Sequence, residues 1–92
     1  MTFSFDLSEV LEKKLKKLAK KDSVLASIFK KKVLEVIDHS LESISTYKNL
    51  KSPLHHYKRI HLSSQFILLF NVNLSKKHVV FVDILHWDDV YN

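Results

Sequence analysis

The sequence predicts an α+β fold in the order β-α-α-β-β-β, with a helical hairpin packed on one face of a mainly antiparallel four-stranded sheet. Three observations carry this. Apolar residues alternate with polar ones at the start of the chain, recur at three- and four-residue spacing from Val10 to Ile44, and alternate again after Pro53. The helical stretch is punctuated once, at Asp22-Ser23. The later segments are joined by Ser63-Ser64 and by Asn73-Leu74-Ser75-Lys76, connections short enough for antiparallel hairpins.

Each element has a local reason. Phe3 and Phe5 alternate with Thr2, Ser4 and Asp6, the period of a half-buried first strand over 2–7. Ser8 is positioned to cap a helix whose Val10, Leu11, Leu15 and Leu18 share one side. Glu9 and Glu12 lie near its positive end, and Lys20 and Lys21 near its negative end. Asp22 or Ser23 starts a second helix, whose stripe of Leu25, Ile28, Phe29, Val33, Val36, Ile37, Leu41 and Ile44 carries it to about residue 44. Pro53 marks the entry to a strand, where a missing N–H is tolerated. Strands are expected over 55–62, 65–72 and 77–85, with the first strand paired beside this meander so that its backbone groups are satisfied. The whole chain, 1–92, reads as one domain without repeats or linkers.

Composition narrows the chemistry. With 92 residues and no cysteine, the fold rests on apolar burial alone, and disulfides and thiolate metal sites are excluded. Glycine is absent and proline occurs once, so no glycine-rich phosphate loop of the P-loop or dinucleotide kind exists here. No apolar run reaches the length of a membrane span, and the first residues lack the basic start and apolar core of a signal peptide. The expectation is a soluble, cytoplasmic protein. A net charge of +5, with six histidines beyond it, favours an anionic partner. The lysines at 13, 14, 16 and 17 read first as a solvated helix face.

The segment from Leu50 to Phe70 concentrates the candidate chemistry. Strand alternation sends Tyr57, Arg59 and His61 to one face and Lys58, Ile60 and Leu62 to the other. Ile60 and Leu62 mark the face on the helices, so Arg59 and His61 belong to an open face, about 7 Å apart. In the next strand Phe66, Leu68, Phe70 and Val72 are the matching core set, which leaves Ile67, Leu69 and Asn71 beside Arg59 and His61. Exposed Ile67 and Leu69 would mark an interaction surface. The last strand delivers His86-Trp87-Asp88-Asp89-Val90-Tyr91; if this tail folds back over the open face, His86 and Tyr91 join Arg59 and His61.

The blander assignments sit beside these. His55, His56 and His78 read as surface histidines, and Lys58 as a side chain that snorkels past the core edge. A zinc set of His55, His56 and His61 is disfavoured, because adjacent strand residues point apart and no carboxylate has the right spacing. For Trp87 and Tyr91, packing of the tail competes with stacking on a base.

The order strand, helix, helix, meander, with Asn49-Leu50-Lys51 ahead of Tyr-Lys-Arg-Ile-His, then Phe-Ile-Leu-Leu-Phe, then Val-Val-Phe-Val ending in His-Trp-Asp-Asp-Val-Tyr, resembles the RelE/ParE toxin superfamily, most closely an archaeal-type RelE toxin. The resemblance covers essentially the whole chain. It implies a RelE-like fold and the toxin of a type II toxin-antitoxin system. Such a toxin is a ribosome-dependent mRNA endonuclease, and it uses the 2'-hydroxyl, without metal or other cofactor, to attack the adjacent phosphate. Arg59 and His61 match the two basic positions of the family's second strand, Arg59 as phosphate ligand and His61 as proton carrier or second cation. His86 matches a histidine at the end of the last strand, the preferred general acid or base. Tyr91 matches a tyrosine that stacks on or orients a base. Lys51 and Lys58 are the expected RNA contacts, and Ile67 and Leu69 the expected antitoxin contacts. The implied partners are a cognate antitoxin with an acidic or amphipathic segment, the ribosome and mRNA.

Two positions depart from the pattern: Ile67 and Trp87 stand where many relatives place arginines. They keep a second reading open, a ParE-like or catalytically silent protein that acts by binding a macromolecular target such as DNA gyrase. A third is a general nucleic-acid-binding domain, whose affinity falls steeply with salt without cleavage.

Overall fold

The computed structural model describes residues 2–50, 54 and 56–91, for Val90 and Tyr91 the backbone alone. The elements are β1 (Ser4–Leu7), α1 (Glu9–Lys21), α2 (Ser23–Ile37), a 3-10 turn (Ser43–Thr46), β2 (Lys58–His61), β3 (Phe66–Asn73), β4 (His78–His86) and α3 (Trp87–Tyr91). The sheet order is β1-β4-β3-β2. β2, β3 and β4 pair antiparallel, and β1 joins β4 in parallel. The α1–α2 hairpin carries the chain from β1 to β2 at the opposite edge of the sheet, and the β2-β3-β4 meander then brings β4 back beside β1.

Two side chains replace glycine as hinges of this hairpin. Ser8 caps α1: its Oγ accepts from the Leu11 amide at 3.1 Å and donates to the Val82 carbonyl at 2.5 Å. Asp22 serves both helices. Its amide donates to Leu18 O at 2.7 Å at the end of α1, and its Oδ1 accepts from the Leu25 amide at 3.0 Å at the start of α2.

α2 ends at Ile37, seven residues short of the predicted limit. The Ile37 carbonyl, which a continuing helix would use internally, instead accepts from the amides of Thr2 and Phe3 at 3.1 and 3.0 Å. Ser40 and Ser43 then bond one another's backbone and side chains, a local alternative to helix. Ile44 is core all the same, reached through the 3-10 turn. Val10 and Leu41, counted in the predicted stripes, are 56% and 40% exposed, and Phe5 is 41% exposed.

The sheet is apolar on both faces. Phe3, Leu11, Leu25, Phe29, Val36, Ile37, Leu62, Leu68, Phe70, Val79, Phe81 and Ile84 form the core under the helices. On the other face Leu50, Ile67 and Leu69 are buried beneath Leu54, Tyr57, Val82, Leu85 and Trp87. The cover is held by Leu50 N to Tyr57 O, Tyr57 N to Leu54 O and Arg59 N to Lys48 O, each 3.0 Å, which extend the sheet past β2.

Regular alternation fails at one place in β4. Leu69 pairs with Asp83 and Phe70 with Phe81, so Val82 is the extra residue of a β-bulge. Before it, Val79 and Phe81 face the helices; after it, Ile84 does, while Val82, Leu85 and Trp87 belong to the opposite face. The bulge is tied to the start of α1. Ser8 bonds Phe81 O and Val82 O, and Lys14 Nζ reaches Asp83 Oδ1 at 2.7 Å and Ile84 O at 3.1 Å. No helix among the described residues is long and apolar enough to cross a membrane.

Candidate functional site

Arg59 and His61 pair with Leu69 and Ile67, so both belong to the sheet face away from the helices, as alternation predicts. The third member of the cluster is Trp87, for which the sequence left tail packing and base stacking both open. The bulge turns Trp87 onto this face, with its ring centroid 4.9 Å from that of His61 at an interplanar angle of 35°. The Arg59 guanidinium carbon lies 5.9 Å from the same indole, a cation–π arrangement. His61 is exposed, and Arg59 and Trp87 are half-buried. The result is a cationic edge with an aromatic plate, able to hold a phosphate while a base stacks.

The same bulge removes His86 from this group. Its backbone pairs with Phe66, its ring meets the Phe66 ring edge-on at 5.3 Å, and it borders the helix side together with Lys14, Lys17 and Lys21. The Asp88 amide donates to His86 Nδ1 at 3.2 Å. His86 and His61 therefore occupy the same end of the sheet on opposite faces, which corrects the expected convergence of His86 with Arg59 and His61. Unbroken alternation would have put His86 with Arg59, and one inserted residue reverses every side chain beyond it.

Two more expectations change. Ile67 and Leu69 are 0% and 3% exposed, so they form no open patch; the chain covers them with its own Leu50, Leu54 and Trp87. Lys58 is engaged internally, its Nζ donating to Tyr47 O at 3.0 Å and to Asn49 Oδ1 at 2.9 Å, which pins the segment before the cover. Lys51, Pro53, His55 and the side chain of Tyr91 lie outside the described residues. His78, read as a surface histidine, bonds Ser4 Oγ at 2.6 Å and Asp6 Oδ2 at 3.0 Å, joining β4 to the edge strand.

Exposed apolar surface lies elsewhere. An open groove of about 600 Å³ runs between β1 and the hairpin, lined by Phe5, Leu7, Leu15, Phe29, Val33 and Leu34, with Lys16 and Lys30 also on its walls. Phe5 and Leu34 are exposed in the structure, whereas simple strand periodicity assigned the first to the core and the helical stripe passed over the second.

A polar chain closes the far end of the helix side. Tyr47 Oη is 2.8 Å from His39 Nε2, and His39 Nδ1 is 2.9 Å from Ser43 Oγ. The Tyr47 ring packs edge-on against Phe70 at 5.3 Å. Burial, and secondarily the Glu35 carboxylate, hold the Tyr47 phenol above its ordinary pKa of 10.0.

No model of a protein family matches the chain. Among individual proteins, it is 37% identical over 93 residues to a protein of the archaeon Methanocaldococcus jannaschii named as a candidate toxin, RelE4; the match spans 97% of this chain and 90% of that one. The chain belongs to the RelE toxin family. Solved structures agree on the fold of this RelE-family protein. YafQ from Escherichia coli superposes with a TM-score of 0.72 at 20% identity, covering 98% of this chain and 99% of that one. The toxin-antitoxin complex RelBE of E. coli gives 0.66 at 25% identity, over 89% and 93%.

Proposed function

We propose that this RelE-family protein is an endoribonuclease toxin that cuts mRNA on the ribosome and is held inactive by a cognate antitoxin. The observation that carries the proposal is the cluster of Arg59, His61 and Trp87 on the sheet face away from the hairpin. A single-stranded RNA laid across this face offers a base to the Trp87 indole and a phosphate to the Arg59 guanidinium. Stacking of this kind contributes about 1–3 kcal/mol per base.

The chemistry then needs proton transfer and charge stabilisation. The 2'-oxygen attacks the adjacent phosphorus while its proton passes to a base, and the 5'-oxygen leaves with a proton. The products are a 2',3'-cyclic phosphate and a 5'-hydroxyl. Arg59 neutralises the charge that builds on the phosphorane oxygens, and His61, beside it, is the proton carrier. This route gives no step to a metal.

The antitoxin belongs in the apolar groove rather than over Ile67 and Leu69. β1 ends the sheet order beside that groove, and Lys16 and Lys30 suit an amphipathic segment with acidic flanks. The E. coli RelBE structure, a toxin-antitoxin complex, supports the assignment of such a partner.

The test is to incubate purified protein with translating ribosomes and map new mRNA ends, with and without chelator. Expected are ends bearing 5'-hydroxyls, formed only with ribosomes, unaffected by chelator and lost in Arg59→Ala. Topoisomerase inhibition without RNA cleavage would instead establish the ParE-like alternative.

A further inference from the structure

The helix side of the sheet carries a second basic feature that the Arg59 cluster does not explain. Six lysines of α1 and three of α2 account for most of the fifteen Lys and Arg residues, so the charge of the molecule is centred on the hairpin, away from Arg59 and His61. Their arrangement is not uniform. Lys14, Lys17 and Lys21 stand at i, i+3 and i+7 on α1 and border one open trough of about 350 Å³ between α1 and the end of β4. Leu18, Leu25, Phe66, His86 and Asp89 also line it; Leu25 is buried, Leu18, Phe66 and His86 are half-buried, and Lys17, Lys21 and Asp89 are exposed. A trough of that volume falls at the lower end of small-ligand sites, roughly 300–1,000 Å³.

We propose that this trough is a nucleotide-binding subsite for a second segment of the RNA strand, outside the reaction centre: the base lies over the apolar floor beside His86, and its phosphate is held by Lys17 and Lys21. Several features select this occupant. The cations are on the rim and the apolar area is inside, the distribution of charge and π-surface in a nucleotide. Lys14 is already bound to Asp83 and Ile84 O, so it shapes the wall, whereas Lys17 and Lys21 supply the charge. Asp89 would repel a bare anion from one side of the mouth, but it is a suitable acceptor for an exocyclic amine of a base. His86 lies at the same end of the sheet as His61, on the opposite face, so the two basic features share one end of the molecule.

The inference rests on the proposed RNA chemistry but is measured apart from it. A fluorescent RNA oligonucleotide with 2'-O-methyl sugars, which cannot be cut, is titrated into the intact protein across a range of salt. Lys17→Glu/Lys21→Glu is expected to bind about tenfold more weakly, with a salt slope shallower by about 1.4, the loss of two single-strand phosphate contacts. Lys76→Glu/Lys77→Glu, which changes the charge equally in the β3–β4 turn, should leave the slope unchanged. His86 ring NMR signals should shift with the oligonucleotide and far less with adenosine monophosphate at the same nucleotide concentration.

Equal losses in the two double variants, or unmoved His86 signals, would overturn the subsite. Equal shifts with the mononucleotide would replace an RNA segment with a free nucleotide as the occupant. For His86→Ala in the ribosome assay, a raised KM is expected with kcat nearly intact; loss of kcat with binding intact would return His86 to the reaction centre. Normal oligonucleotide binding with no cleavage by the wild type would instead sink the nuclease proposal and leave the trough standing.

Discussion

The Trp87 indole lies against the His61 imidazole, their centroids 4.9 Å apart, and the Arg59 guanidinium faces the same indole. Trp87 is the only tryptophan, so its fluorescence reports this cluster alone. Single-stranded oligonucleotide is expected to change the emission in the wild type and much less in Arg59→Ala. Trp87→Phe should retain most of the affinity and Trp87→Ala lose about 1–3 kcal/mol of it. Wild-type affinity in Trp87→Ala would show that the indole only packs.

Ile67, which pairs with His61 on the face away from the helices, is fully buried under Leu50 and Trp87. A charged side chain at this position should therefore harm the chain. Ile67→Arg is expected to lose about 3 kcal/mol or more of stability in urea unfolding, because a guanidinium has no partner beneath that cover. A stable and more active Ile67→Arg would mean that the cover opens readily.

Tyr47 makes stability depend on alkaline pH. Its folded-state pKa is raised, mainly by burial and then by Glu35, so the neutral phenol is favoured in the native state. That contribution is fully present below the unfolded value near 10.0 and is lost as pH rises through the raised value. Between pH 9 and 11 the wild type should lose more stability than Tyr47→Phe in matched denaturant titrations. Parallel losses would assign the alkaline sensitivity to the lysines.

Lys77 adopts φ 51 in the turn between β3 and β4, in a chain without glycine. Left-handed geometry disfavours a residue with a Cβ. Lys77→Gly should raise stability by about 0.5 kcal/mol, after the entropy cost of glycine, and Lys77→Val should lower it. The comparison is read from thermal midpoints.

Ser8 joins the helix start to the bulge, accepting from Leu11 N and donating to Val82 O. Ser8→Ala should cost about 1 kcal/mol as a lost cap. If the bulge also depends on Ser8, NMR signals of His86 and Trp87 will move with it; unmoved signals would confine the effect to the helix.

Pattern in the sequence was sufficient where neighbours along the chain decide the outcome. Ser8 and Asp22 cap because their side chains reach amides three residues on, and Ile60, Leu62, Leu68 and Phe70 separate from Arg59, His61, Ile67 and Leu69 because strand period alone sorts them. The family likeness was legible in the same local runs. Tertiary structure decided where α2 stops, since Thr2 and Phe3, more than thirty residues away, take the Ile37 carbonyl. It also decided the make-up of the site. The extra residue at Val82 is held by Ser8 and Lys14 from the far end of the chain, and it exchanges the faces of His86 and Trp87. Periodicity carries no trace of such a bulge, because the bonds that stabilise it join segments roughly seventy residues apart.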